Sequence, residues 1–224
     1  MSRRGLAWCA AVLVVMLPAS CSPAGEEPAA PRDGAATASG RASTQAPSSP
    51  EEPSPGDAPD GSPQPTFTPP YQPRGDERAV ELPAELPIEA PDSATAEEHA
   101  VLAAAGRFMA SWDAVLFGAG DERSGILRTA TDPQLARLLN YLAESAAKER
   151  VIVGEPTELE LLAVSVIGDK AEVDLCTIMR DWIQYTGGTP EPQPEVERLI
   201  LTMSLADGVW LASDTEQADP DPCA

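Results

Sequence analysis

The chain has 224 residues, a formal net charge of -21 and only 4% aromatic residues. A surface this acidic repels phosphate backbones and anionic bilayers, which argues against direct nucleic-acid binding and electrostatic membrane docking. The composition is uneven: 16 of the 24 prolines fall in residues 22–91, while most aromatic residues follow residue 107, so one folded domain with a single core is expected at the C-terminal end.

Arg3 and Arg4 form a short positive n-region, and residues 6–17 form an apolar h-region with its centre at 12–17. That run is too short to span a bilayer, so residues 1–20 read as a secretory signal peptide. The rest of a twin-arginine motif is missing, which points to an ordinary Sec route. The sequence Leu17-Pro18-Ala19-Ser20-Cys21 resembles a bacterial lipobox. Ala19, Ser20 and Cys21 fit it, while Pro18 occupies the place of the expected leucine. The resemblance implies thioether attachment of a diacylglycerol to Cys21 and cleavage before it. Two acyl chains would hold the chain on the extracytoplasmic face of the cell membrane. Ordinary secretion, with cleavage after Ala24, is the alternative.

Residues 21–93 then read as the lipidated cysteine and a disordered, Pro-rich linker. The tract has no hydrophobic period, and Phe67 and Tyr71 are its only aromatic residues. It buries too little apolar surface to offset ordering entropy, so polyproline II character is expected. Fully extended, at about 3.1 Å per residue, it would reach roughly 200 Å. The end of the tract carries Leu82, Leu86 and Ile88 between prolines, and these side chains would be wasted unless they touched the folded domain. Ser/Thr-Pro clusters around Thr44, Ser48 and Ser54 are possible O-glycan acceptors beside the simpler reading of a solvated linker.

The domain proper is expected over 94–224. Thr95 with Glu98 forms a capping box that opens a helix. Val101, Ala105, Phe108, Trp112 and Val115 recur at helical spacing, and the helix should stop near Gly118 and Gly120. A short helix is expected over 122–129. A further helix begins at Asp132-Pro133, with Asp132 as the N-cap and a stripe of Leu135, Leu138, Leu139, Leu142 and Ala146. After Arg150 the period changes to two. Strands are expected over 157–166, 171–185 (one long strand or a strand with a bulge), 195–205 and 209–216, with turns at Gly168-Asp169 and Ala206-Asp207-Gly208 and a Pro-rich loop over 186–194. Helices followed by a run of antiparallel strands make an α+β fold.

This pattern resembles the NTF2-like (SnoaL-like) cone domains, in which two to three N-terminal helices pack on a curved four-stranded antiparallel sheet. The resemblance covers about residues 94–223. Residues Ala171-Glu172-Val173-Asp174-Leu175-Cys176, with Trp210 and Cys223, are similar to actinobacterial secreted lipoproteins of this class, Leu175 being a departure between the acidic residue and the cysteine. Only Lys148 and Lys170 among fifteen basic residues are lysines, which fits coding from a GC-rich genome. The resemblance implies a conical pocket, enzymatic in some members and a binding or structural cavity in others.

Cys9 leaves with the signal and Cys21 is the lipid candidate, so Cys176 and Cys223 remain as an even pair in an oxidising compartment. Either they bridge, or Cys176 is buried and Cys223 free. The bridge is expected, because exposed thiols are a liability outside the cell. It would close a loop of about 48 residues, contribute on the order of 4 kcal/mol and pin the tail to the sheet.

His99 is the only histidine, at the start of the first helix and on an exposed face, so there is no second histidine to build a His-based metal site, and no Ser-His-Asp relay is evident. No cofactor or metal motif is present, and Gly187-Gly188 belongs to a Pro-rich hairpin rather than a phosphate loop. The candidate pocket residues are Trp112 with Asp113, and Asp181 with Trp182 and Tyr185. In cone enzymes a cavity aspartate serves as general acid or base. Against that, Asp113 can be a solvated helix residue and Asp181 a partner of Arg180, and the tryptophans can be core. The expected function is a non-enzymatic cell-surface lipoprotein that binds a small apolar ligand or an envelope protein. The alternatives are an isomerase- or dehydratase-type enzyme using Asp113 or Asp181, and an accessory subunit of an envelope or secretion complex.

Overall fold

The computed structural model describes residues 65–223, so the signal, Cys21 and the tract up to residue 64 lie outside the described residues. The chain begins with a short antiparallel pair, β1 (Thr66–Phe67) and β2 (Val80–Glu81). Gln72 closes the connection between them. Its amide nitrogen donates to the carbonyls of Pro69 (3.0 Å) and Arg78 (2.9 Å), and its oxygen accepts from the Arg78 N–H (2.8 Å). Residues 82–91 follow as a strap lying along helix α1 (Ala96–Leu116). Residues 65–93, expected as the end of a disordered linker, are therefore part of the fold. Proline sets an extended backbone at low entropic cost and leaves no N–H to satisfy, so a few spaced apolar side chains suffice to dock such a segment. Leu86 is buried, Ile88 and Ala90 pack against the same core, and the Leu86 N–H donates to the Gly106 carbonyl at 3.1 Å. The approach requires glycine at 106, because a Cβ there would stand 2.3 Å from the Leu86 carbonyl oxygen.

The capping box forms as expected. Thr95 Oγ1 accepts from the Glu98 N–H (3.2 Å), and Glu98 Oε2 accepts from the Thr95 N–H (2.7 Å). Helix α1 is buried on most of its circumference, through Val101, Leu102, Ala105, Phe108, Met109, Ala110 and Val115, because the strap covers one side and the sheet another. The short helix expected over 122–129 is two single turns, α2 (Asp121–Ser124) and α3 (Ile126–Thr129), broken where Gly125 adopts φ 77°. Helix α4 (Gln134–Ala147) starts one residue later than expected. Pro133 rather than Asp132 stands at the cap position, and no side chain caps it. Of the expected stripe, Leu138 is buried and Leu135, Leu139 and Leu142 are half-buried, but Ala146 is exposed. Gln134 and Ser145 take buried places instead. Gln134 Oε1 accepts from Thr215 Oγ1 (3.1 Å), and Arg137 pairs with Asp214, which docks the start of α4 on the sheet.

Seven strands follow: β3 (Arg150–Val153), β4 (Glu158–Ile167), β5 (Lys170–Ile178), β6 (Ile183–Thr186), β7 (Thr189–Pro192), β8 (Val196–Ala206) and β9 (Val209–Ala218). The four longest form an antiparallel sheet in the order β4-β5-β8-β9. The remaining three make a separate antiparallel sheet, β3-β6-β7, which the sequence reading missed. The alternation predicts a long strand, or a strand with a bulge, over 171–185 and a loop over 186–194. The chain instead leaves the large sheet after Ile178, turning at Asp181 (φ 55°), and pairs again as β6. Gly187 and Gly188, both at positive φ, make the two-residue hairpin to β7. Pro190 and Pro192 are tolerated because β7 is an edge strand.

The fold is thus α+β, with helices and antiparallel sheets. Its main core lies between α1 and the large sheet, where Phe108 and Met109 meet Leu175, Leu201 and Met203. A second cluster, Phe117, Val151, Val153, Met179, Trp182 and Tyr185, joins the end of α1 to the small sheet.

Candidate functional site

The last turns of α1 stand where the two clusters meet, and a cavity of about 200 Å³ opens there. Its wall takes Met109, Trp112, Asp113 and Leu116 from α1, Thr177 and Met179 from the end of β5, Glu197 and Leu199 from β8, and Trp182 and Gln184 from around β6. The helical period delivers the first group, since 109, 112, 113 and 116 share one face. Strand alternation delivers Glu197 and Leu199 on one face of β8.

Asp113 is 1% exposed. Its Oδ2 accepts from the Thr157 N–H and its Oδ1 from the Thr157 hydroxyl, both at 2.8 Å. Burial pushes its pKa up to about 7, and the two Thr157 hydrogen bonds pull the other way without prevailing. The solvated-helix reading of Asp113 is therefore corrected: the carboxyl is an internal clamp that satisfies a buried backbone donor just before β4. Burial also raises the pKa of half-buried Glu197, opposed by a hydrogen bond from Gln217.

Trp112 meets Phe108 edge-to-face at 5.9 Å. Trp182 is buried, stands edge-to-face on Phe117 at 5.5 Å, and donates from Nε1 to the Glu155 carbonyl at 2.7 Å. Both indoles are thus core residues that also line the cavity. Tyr185 is buried in the second cluster but does not line the cavity. Asp181 is exposed on its turn, away from the cavity wall, so it is corrected as a pocket residue. Its expected partner Arg180 instead pairs bidentately with Glu158, both distances 2.9 Å. His99 is exposed in the first turn of α1.

Sequence reasoning missed Tyr141. Its ring lines the cavity and carries the Arg150 guanidinium 4.5 Å from its centroid. Burial raises the phenol's pKa, with Arg150 and nearby Ser145 opposing. Ser145 Oγ is nevertheless engaged by Arg150 Nε (3.2 Å) and Nη2 (3.0 Å), and the Tyr141 hydroxyl has no hydrogen-bond partner among the described residues. The available signal was position: Tyr141 lies three residues after buried Leu138 on the inner side of α4.

The disulfide is formed. Cys176 and Cys223 join at an S–S distance of 2.07 Å, with Cα atoms 5.5 Å apart. Beside it, Arg198 holds Asp174 bidentately at 2.9 and 2.7 Å. Among the described residues, no cluster of three or more His, Cys, Asp or Glu side chains could hold a metal ion, and no helix is long and apolar enough to cross a membrane.

No protein-family model matches the chain, and no curated protein matches it. Among solved structures, it is similar to the intermembrane space region of the chloroplast protein ARC6. That match has 13% identity and a TM-score of 0.44, over 50% of this chain and 92% of the other. It is also similar to a SEC-C motif containing protein from Rhodopseudomonas palustris, at 22% identity and a TM-score of 0.32, over 53% of this chain and 78% of the other.

Proposed function

We propose that the chain is a lipid-anchored, extracytoplasmic binding domain whose cavity at the end of α1 takes a small, largely apolar molecule. The observation that carries this reading is the cavity itself. It is walled by Met109, Trp112, Leu116, Trp182 and Leu199, with two carboxyls in its lining, buried Asp113 and half-buried Glu197. Cavities of about 150 Å³ accept benzene, so one of about 200 Å³ suits a ligand of one or two rings. The arrangement of α1 and α4 against the four-stranded meander supports an NTF2-like cone as the finer description of the fold. The Cys176–Cys223 bridge supports an oxidising compartment, in keeping with a signal peptide and lipidation at Cys21.

Asp113, with a pKa near 7 in a cavity wall, favours the isomerase- or dehydratase-type reading as the second choice. Binding is preferred because both carboxylate oxygens are committed to Thr157.

Neutral indole is the probe. It is expected to bind saturably and to raise the melting temperature of the protein. The Leu199→Trp variant fills the space the probe would take and should weaken binding about tenfold or more while keeping the wild-type circular dichroism. Absence of saturable binding, or equal binding by the folded variant, would remove the cavity reading. Anchoring is tested separately: the intact mass of membrane-extracted protein should show residues 1–20 removed and a diacylglycerol on Cys21. An unmodified mature mass in the culture medium would replace anchoring with ordinary secretion.

A further inference from the structure

A second cleft, of about 680 Å³, lies on the other side of α1, under the strap. In a chain of net charge -21, none of the described residues lining this cleft is acidic, and three are arginines: Arg107, Arg123 and Arg128. So many cations converging on one concavity of an acidic protein make a local positive field that solvation alone does not call for.

Each arginine is held differently. Arg107 is partly neutralised, because its Nη1 reaches Glu85 Oε2 at 3.3 Å on the strap. Arg123 lies over the Phe67 ring, 5.2 Å from the centroid, which orients the guanidinium without neutralising it. Arg128 makes no ion pair among the described residues. Its position follows from Gly125. A Cβ at 125 would stand 3.0 Å from Arg128 Nη2 and 3.4 Å from Ser111 Oγ, so the missing side chain leaves room for the guanidinium and the hydroxyl to converge. The break between α2 and α3 thus turns Arg123 and Arg128 toward one cleft. Phe67, beneath Arg123, together with Leu82, Pro83 and Ala110 supplies an apolar part of the same lining.

We propose that this cleft is a binding site for a small organic phosphate, its phosphoryl oxygens between Arg123 and Arg128 and its organic part against the Phe67, Leu82 and Pro83 wall. Two guanidiniums without carboxylate partners among the described residues match the charge of a phosphomonoester dianion, and their planar forks suit its oxygens. The cleft is far larger than inorganic phosphate needs, and its apolar wall rewards a hydrophobic substituent. The site is separate from the cavity proposed above and does not depend on it.

Titration calorimetry on the intact mature protein tests this, with phenyl phosphate, inorganic phosphate and benzoate as probes. Phenyl phosphate is expected to bind most tightly, and to weaken as salt is raised. Arg128→Gln and Arg123→Gln should each weaken it about tenfold, the loss of one charge-assisted hydrogen-bonding group. Arg180→Gln, an exposed arginine elsewhere, should leave it unchanged. Saturable binding that is equal in all three variants would overturn the proposal. So would no saturable binding at millimolar phenyl phosphate, or a preference for benzoate.

Discussion

Asp113→Asn is expected to be more stable than the wild type above pH 7, and indistinguishable from it near pH 4. The carboxyl has a pKa of about 7 in the folded protein, against about 3.9 in an unfolded chain. Below the lower value both states hold the proton and the residue contributes no pH dependence. Between the two values the folded protein keeps a proton that the unfolded chain releases, so stability falls as pH rises. About three pH units at 1.36 kcal/mol each set an upper bound of about 4 kcal/mol, reached once the pH exceeds about 7. Asparagine cannot ionise, yet it can accept from the Thr157 N–H and donate to the Thr157 hydroxyl, so the clamp survives. Urea denaturation of both proteins from pH 4 to 8 measures the effect. The difference curve removes the many surface carboxylates common to both. Parallel curves across that range would show that Asp113 ionises normally. Asp113→Ala separates charge from clamp: it leaves the buried Thr157 N–H unpaired and should cost about 1–3 kcal/mol even at pH 4. A neutral Asp113 also leaves the cavity wall with one charge fewer below pH 7, so indole should bind more weakly as the pH is raised through that value.

Asp113 and Asp181 show why the fold was easier to read than the site. Each stands beside a tryptophan in the sequence, and nothing local separates them. The first lies on the inner face of a helix covered by both clusters, whereas the second occupies a turn at φ 55° and faces solvent. Burial, which separates the two, is set by chain segments tens of residues away. The elements that follow from local rules were legible: the capping box at Thr95 and Glu98, the period of α1, the alternation in β4, β5, β8 and β9, and the hairpin at Asp207-Gly208. Those that depend on distant contacts were not. The strap has no period, and it docks because α1 offers Gly106 at the right place. The small sheet was hidden by its prolines, although Gly187-Gly188 is a sufficient hairpin signal once β7 is recognised as an edge. Tyr141 carried no motif at all, and only the closure of α4 over β3 puts its ring in the cavity.

Removing the disulfide is expected to lower stability by about 2–4 kcal/mol without dissolving the core, and to free the tail first. The bridge joins residues separated by 47 positions, for which the loss of unfolded-state entropy gives about 4 kcal/mol. Cys176 is buried on β5, with its side chain on the face opposite that of Leu175, away from the main core. The terminal 3-10 turn Asp221–Cys223 covers that position. Arg198 ties the same corner together, pairing with Asp174 across β5 and β8 and reaching the Asp219 carbonyl at 3.5 Å. Without the bridge the tail keeps, among the described residues, its packing against β8 and that one hydrogen bond to the sheet, which is at the long limit of length. The paired variant Cys176→Ala with Cys223→Ala should therefore retain its circular dichroism, melt lower, and lose the tail to limited proteolysis. Cys223→Ala alone leaves a small apolar thiol newly uncovered and should react with a maleimide that does not label the native protein. Equal denaturation midpoints with and without the bridge would mean that the unfolded chain is already constrained between these two positions. An unreactive Cys176 in the single variant would mean that something other than the tail covers β5. The first outcome also bears on the proposed compartment, because a bridge that contributes nothing to stability would weaken the case for an oxidising environment.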